Sequence, residues 1–412
     1  EEDNLKRHTN IFGKNANEAI KSFKKKNPGK EIKGIYPLPL ESDLTIDLKN
    51  PNVFIDYGKA KFNLNYYQRA SIDFQKAAEI DPKNIDALNF KARSDLLENL
   101  FSEKPTKEQY KKALENIEEV IKLDPKNAFA FDSRGRINCF FGKYKAAIKD
   151  FNIAIRNMSQ DKFAHATYCY RASAYFMIGK YMEALNDYDE GIKLNQIGSE
   201  DYFIRGKCNY YLNQYEAAID NFNYAIKAPP QNIDIIKSEY NHNLKLSDFF
   251  FWLGLSKYNL NRYKETIKDC YQALDYNPMN ANAYEYIGIS NYYLNNYKKA
   301  IKNLNKAIKL NQKQHGAYSF RGYAQYELGE YESAIGDLDK AINLFPKHSF
   351  DYQFRGCANL FLNKYRIAIK DLNKAIKLNS YNENAYFFRG QVQLLLGNLP
   401  QAIKDLNKAI KL

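Results

Sequence analysis

Apolar residues recur along the chain at helical spacing, and that pattern itself returns every 34 residues. The run AIKDLNKAIKL stands at 368–378 and again at 402–412, and AIKNLNKAIKL stands at 300–310. Extending the frame backwards gives ten units, at 51–84, 85–127, 128–161, 165–198, 199–232, 247–280, 281–314, 315–348, 349–382 and 383–412. In the later part of a unit, positions 20, 21, 24, 27 and 28 are apolar, as in Ala368, Ile369, Leu372, Ala375 and Ile376. Those offsets share one face of an α-helix, so the segment predicts an amphipathic helix. Position eight is small in every unit, from Gly58 and Ala92 to Gly356 and Gly390, and position 20 is Ala everywhere except Thr266. Small residues at matched places on successive helices let the backbones approach closely. Position 17 is an aromatic ring placed to fill the wedge at the turn, as in Tyr67, Tyr144, Tyr181, Tyr297 and Tyr365, with Leu399 an exception. Proline at position 32, in Pro82, Pro125, Pro230, Pro278 and Pro346, stops the second helix. Each unit therefore reads as helix, turn, helix, stop.

This Gly, Tyr, Ala, Pro pattern at a period of 34 resembles the tetratricopeptide repeat. The family's position-four aromatic is present as Tyr168, Tyr202, Phe250, Tyr284, Tyr318, Tyr352 and Tyr386, while the single tryptophan, Trp252, sits two residues later in its unit. The resemblance implies an all-α fold, a right-handed superhelical solenoid of about ten repeats. First helices would line a concave groove and second helices would face outward. Two places depart from the frame: about nine extra residues around Phe101–Gln109, expected as a longer turn, and residues 233–246 between the fifth and sixth units. The expected organisation is an N-terminal arm or cap at 1–50, a first subarray at 51–232, a joint at 233–246 and a second subarray at 247–412.

Composition narrows the function. The chain of 412 residues is 45% hydrophobic, and its 34 Tyr and 26 Phe exceed what a disordered chain carries. No window of 18 apolar residues offers a membrane span. Five widely spaced cysteines without a CxxC pair argue against a disulfide framework or zinc ribbon, and point to a reducing compartment such as the cytoplasm. No HExxH, GxSxG, GxxxxGK[ST] or GxGxxG motif occurs, and the histidines His8, His165, His242, His315 and His348 never fall at metal-ligand spacing. No enzyme activity, metal or cofactor is expected.

A recurrent polar pair joins position seven to position 23: Arg134 with Asp150, Arg171 with Asp187, Arg321 with Asp337, Arg355 with Asp371 and Arg389 with Asp405. Arg205 faces Asn221 instead, and the units with Leu253 and Ile287 lack the arginine. A charge-assisted pair between helices would fix register more than it adds stability, and architecture outweighs ligand binding as its role.

The groove positions that the resemblance implies are two, five, nine, twelve and thirteen. Early units place Lys59, Arg93 and Arg136 there, and later ones Phe203, Lys207, Tyr211, Phe251, Tyr293 and Tyr323. Rigid amphipathic rings suit a partner-binding wall, although positions twelve and thirteen also suit packing between repeats. The family's carboxylate clamp for chaperone tails is not reproduced, since positions five and nine read Ile55/Lys59, Asn89/Arg93, Asp132/Arg136, Cys169/Ser173 and Phe203/Lys207. An acidic peptide of another kind fits the basic trio.

The net charge of +13 is concentrated at the C-terminal end, where residues 281–412 hold 19 basic and 10 acidic side chains. Lys370, Lys374 and Lys377, with their counterparts in neighbouring units, form lysine stripes on the outward helices. Leu406, Ala409 and Ile410 are expected to face water, which suggests self-association or a continuing chain. The leading expectation is a non-catalytic scaffold holding a peptide or helix of partner proteins in a concave groove. The alternatives are a protein attached to nucleic acid or an anionic membrane through the lysine stripes, or the targeting region of a larger enzyme.

Overall fold

The computed structural model describes residues 49–101, 107–158, 164–195, 197–228 and 239–412. Among them there are twenty helices and no strand. They pair in chain order: α1 (Pro51–Asn63) with α2 (Tyr67–Ile80), α3 (Ile85–Phe101) with α4 (Lys107–Leu123), and α5 (Ala128–Phe140) with α6 (Tyr144–Asn157). These form one compact unit, which ends at Asp161. A second unit begins at Lys162 and holds seven pairs. They are α7 (Ala164–Met177) with α8 (Tyr181–Leu194), α9 (Ser199–Tyr211) with α10 (Tyr215–Lys227), α11 (Glu239–Asn259) with α12 (Tyr263–Tyr276), and α13 (Ala281–Tyr293) with α14 (Tyr297–Leu310). After these come α15 (His315–Glu327) with α16 (Tyr331–Leu344), α17 (Ser349–Phe361) with α18 (Tyr365–Leu378), and α19 (Glu383–Leu395) with α20 (Leu399–Lys411). The arm expected over 1–50 lies outside the described residues up to residue 48; Asn50 caps α1 by accepting from the Asn52 amide at 3.0 Å.

Residues 102–106, within the longer turn expected in the second repeat, lie outside the described residues, and the helices flanking them are longer than in the first repeat. In the second repeat α3 and α4 are 17 residues each, against 13 and 14 in α1 and α2. Between the fifth and sixth repeats, residues 239–246 continue α11 backwards, making it 21 residues long, and residues 229–238 lie outside the described set. Extending an existing helix is favourable because each added residue gains a backbone hydrogen bond without a new nucleus.

Within each unit every first helix packs on its own second helix, on the second helix before it and on the neighbouring first helices. First helices touch one another whereas second helices do not, so the first-helix layer is the inner one. The core is a series of small clusters strung along the joints between repeats, the one from Ile342 to Val392 spanning two joints. At the centre of each lies position 24, which includes the fully buried Phe74, Phe151, Phe222, Leu304, Leu338 and Leu372. Its side chain enters the slot left by the small residue at position eight: a Cβ on Gly288 would come within 2.5 Å of the Leu304 Cγ.

The turns within repeats are equally uniform. Asn65, Asn213, Asn261, Asn295 and Asn363 take φ of 57 to 63°, and Gly142, Gly179, Gly329 and Gly397 take 70 to 78°. Asparagine tolerates this left-handed region because its side chain bonds locally. At all five Asn turns the tyrosine two residues on donates its hydroxyl to Asn Oδ1 at 2.7–3.0 Å. The position-17 ring thus clamps the turn as well as filling the wedge. Between repeats, Asn84, Asn127, Asn280 and Asn382 at position 34 accept from the backbone N–H three residues on, capping the next first helix.

Two glycines test the slot. In an exposed helix interior Gly→Ala gains about 1 kcal/mol, whereas forcing atoms into a filled core costs about 1–3 kcal/mol. Gly336 has open space around its Cβ position, so Gly336→Ala is expected to raise the urea midpoint and Gly288→Ala to lower it. A rise in both would mean that Leu304 yields and the slot sets nothing.

Candidate functional site

All five expected Arg–Asp pairs are formed. Each arginine donates through Nε and Nη2 to both oxygens of the aspartate 16 residues ahead, at 2.5–3.1 Å. This two-pronged match of guanidinium and carboxylate is the strong geometry for such a pair. The remaining Nη1 reaches back 16 residues to the preceding repeat's second helix: Arg134 to Glu118 at 3.0 Å, Arg321 to Asn305 at 2.5 Å, Arg355 to Asp339 at 2.6 Å and Arg389 to Asn373 at 2.6 Å. Arg205 spans the same gap from Asn221 to Asp189, at 2.7 and 2.6 Å. The position-four ring lies under the guanidinium, 5.4–5.6 Å away for Tyr168, Tyr318, Tyr352 and Tyr386. Burial opposes the Arg355 cation, but Asp371 and Asp339 hold its pKa above the ordinary value.

Repeats lacking this arginine balance the buried charge in other ways. Lys61 pairs with Asp73 at 2.5 Å and Lys257 with Asp269 at 2.8 Å, each from position eleven. In the repeat with Ile287, position 23 is the neutral Asn303, which donates to the Lys299 carbonyl at 2.9 Å. A buried carboxylate without a partner would be costly.

The residues expected to bind a partner separate into buried and accessible groups. In the first unit, the Lys59 ammonium lies 3.1 Å from Asp86 and 5.0 Å from the Phe90 ring centre. Arg93 faces the rings of Phe62, Phe90 and Phe129 at 5.3, 5.4 and 4.7 Å, and burial pulls its pKa down. Arg136 pairs with Asp132 at 2.7 Å. The basic trio is contiguous, but its charge is already met by carboxylates and ring faces.

In the second unit Lys207 sits among Trp252, Phe176 and Phe203 at 4.9, 5.2 and 5.5 Å, and burial lowers its pKa against the pull of Asp248. Phe203 packs on Phe222 and Phe249, with centroids at 5.7 and 4.6 Å. Phe251 and Tyr323, expected on the open wall, are 8% and 4% exposed. Contact between adjacent first helices covers them: Tyr286 packs on Phe251 at 5.8 Å, and Phe354 stacks on Tyr323 at 4.2 Å. Tyr211 and Tyr293 are accessible, at 44% and 45%. Each stacks on the position-17 ring 30 residues before it, as do Phe361 and, in the first unit, Phe140. The pairs are Tyr181/Tyr211 and Tyr263/Tyr293 at 4.9 Å, Tyr331/Phe361 at 5.0 Å and Tyr110/Phe140 at 4.0 Å. A constant spacing of 30, from position 17 to position 13 of the next repeat, sets this stacking.

A further cluster also escaped the sequence. His315 Nε2 lies 2.7 Å from Asp351 Oδ2 and His348 Nδ1 lies 3.1 Å from Asp351 Oδ1. The Tyr323 hydroxyl donates to the same carboxylate. Burial would raise the Asp351 pKa, but hydrogen bonds from both imidazoles and the phenol hold it well below the usual carboxylate range. Nearby, burial pushes the Glu285 pKa up to about 7, against the attraction of His315. The histidines are 33 residues apart, far outside local ligand spacing, yet one repeat brings them together.

Profiles of the tetratricopeptide repeat match residues 171–233, 287–349 and 355–412, and a second such profile matches 51–84. Human tetratricopeptide repeat protein 6 is 29% identical over 181 residues, covering 44% of this chain and 32% of that protein. The Hsp70-Hsp90 organizing protein of Triticum aestivum is 29% identical over 125 residues, covering 30% of this chain and 21% of that one. The chain therefore spans about a third or less of these relatives' length. Among solved structures, the pilF protein of Pseudomonas aeruginosa aligns with TM-score 0.45 at 14% identity, over 57% of this chain and 94% of that one. MamA of Desulfovibrio magneticus RS-1 aligns with TM-score 0.37 at 16% identity, over 40% and 93%.

If the arginine straps hold the repeats, Arg355→Ala strands the buried Asp371 and should cost about 1.5–3 kcal/mol in chemical denaturation. Arg355→Lys keeps a charge but not the fork, and should fall between. An alanine variant as stable as the parent would take the strap out of the architecture.

Proposed function

The chain belongs to the tetratricopeptide-repeat family, and from that premise we propose that it is a non-catalytic interaction scaffold whose second unit holds an extended peptide or helix of a partner protein. The observation that carries this reading is the row of accessible rings at the ends of first helices, Tyr211, Tyr293 and Phe361. Each ring is backed by a stacked partner from the preceding repeat, so it offers large rigid area with little rotamer entropy left to lose. Rings of this kind are the anchors on which interfaces concentrate their binding energy. Lys207, already desolvated among three rings, supplies a cation near this row.

The similarity to an Hsp70-Hsp90 organizing protein supports a role in holding other proteins together. The clamp for chaperone tails is no part of the proposal, because positions five and nine carry other residues. Phe251 and Tyr323 support the wall from beneath rather than meeting the partner. The basic trio of the first unit is a secondary contact for an acidic segment, which has to displace Asp86 and Asp132 to use it.

A displayed peptide library panned against the full chain tests the reading. Enriched peptides should lose at least about tenfold in affinity for the chain carrying Tyr211→Ala, Tyr293→Ala and Phe361→Ala together. They should bind unchanged to Lys370→Glu, Lys374→Glu, Lys377→Glu, with circular dichroism showing both variants folded. The opposite result, binding that survives loss of the rings but disappears with the lysines and in salt, would move the site to the outward helices.

A further inference from the structure

At the joint between the eighth and ninth repeats, as at Gln314 one repeat earlier, position 34 does not carry the asparagine cap found at four other joints. At position 34, Asn84, Asn127, Asn280 and Asn382 cap the following helix with their side chains. His348 occupies that position before α17 and makes no side-chain cap. Its ring turns to Asp351 in the first turn of the same helix, where His315 arrives from the start of α15. A capping interaction has been given up, and the imidazole that replaces it converges with a second one on a single wholly buried carboxylate.

We propose that His315, His348 and Asp351 form a binding site for a divalent transition-metal ion of the zinc class. Two imidazole nitrogens and a carboxylate oxygen are donors that such ions take, whereas calcium and magnesium ask for oxygen alone. The three donor atoms lie within 4.8 Å of one another. Around a tetrahedral zinc they need separations of roughly 3.3 Å. His315 meets Asp351 Oδ2 and His348 meets Oδ1, so the contacts of 2.7 and 3.1 Å have to open by about 0.6 and 0.2 Å while the donor atoms, none more than 4.8 Å from another, close around the ion.

The surroundings match those of a ligand set. The Tyr323 hydroxyl fixes the Asp351 carboxylate, as second-layer hydrogen bonds do for metal-binding carboxylates. Phe345 packs edge-on against the His315 ring at 5.4 Å and Phe350 lies 5.9 Å from the His348 ring, which limits how far either imidazole can swing. Asp351 is buried while the histidines are part exposed, so the ion enters from the imidazole side and a water completes its coordination there. On binding, the nitrogens that face the carboxylate carry the metal in place of their protons. The ion then links α15 to α17 and pins the angle between two repeats.

The test uses the full, tag-free chain stripped with a chelator and titrated with Co²⁺, followed by its visible absorption, and with Zn²⁺ by calorimetry. One ion per chain is expected, with a tetrahedral cobalt spectrum and a thermal midpoint that rises with zinc. His348→Asn installs the capping side chain used at four other joints. Without metal it should unfold at or above the parental midpoint, yet bind zinc at least about a hundredfold more weakly. Tyr323→Phe should weaken zinc by about tenfold. His165→Ala, which removes a histidine elsewhere, should leave zinc affinity unchanged. Failure of the parent chain to take up either ion, or parental zinc affinity in His348→Asn, overturns the proposal.

Discussion

The architecture depends on how closely the two helices of a repeat approach at position eight. With a glycine there, the side chain at position 24 enters a slot that leaves no room for a Cβ, as Gly58 shows with Phe74 and Gly288 with Leu304. A helix of 13 or 14 residues is marginal alone, so it persists only by burying its apolar face against another. Each repeat completes its core with residues of the next, which is why stability passes along the stack as a sum of neighbour contacts.

Close approach fixes the distance between helices but not the angle between repeats. The arginine at position seven supplies that second constraint, since its fork grips Asp in its own repeat while Nη1 reaches the second helix before it. Three helices are tied by one planar group whose geometry permits little variation. The compensation seen in Lys61–Asp73 and Lys257–Asp269 shows the rule beneath the pattern: a carboxylate at position 23 is kept where a cation can reach it. Its contribution is to register more than to net stability, because the desolvation of both charges offsets much of their attraction.

The repeat frame, the helical fold and the Arg–Asp pairs were legible because each depends on spacing within one period. What the sequence hid depends on how successive periods lie against each other. Tyr323 and Phe251 look like wall residues in a single repeat, and only the adjacent first helix covers them with Phe354 and Tyr286. His315 and His348 fail every test for ligand spacing along the chain, yet they open and close one repeat of 34, so the next helix brings both to its first turn. The extra residues of the second repeat were expected as a longer turn, whereas the helices on either side of 102–106 run to 17 residues each.

Uniform repeats make departures informative, since a residue that leaves the pattern without a structural return has another reason to be there. The basic row of the first unit illustrates how to weigh such a departure. Lys59, Arg93 and Arg136 break the pattern by charge, but their environments answer it: Asp86, Asp132 and the faces of Phe62, Phe90 and Phe129 already satisfy the cations. An incoming carboxylate must compete with these contacts, so the row contributes less than three free cations would. The rings of Tyr211, Tyr293 and Phe361 are each held by a stacked ring and by edge or tilted contacts with others, yet 44–50% of each stays exposed. Their outer faces remain open to water, and burying them against another polypeptide is the larger unclaimed free energy on this wall.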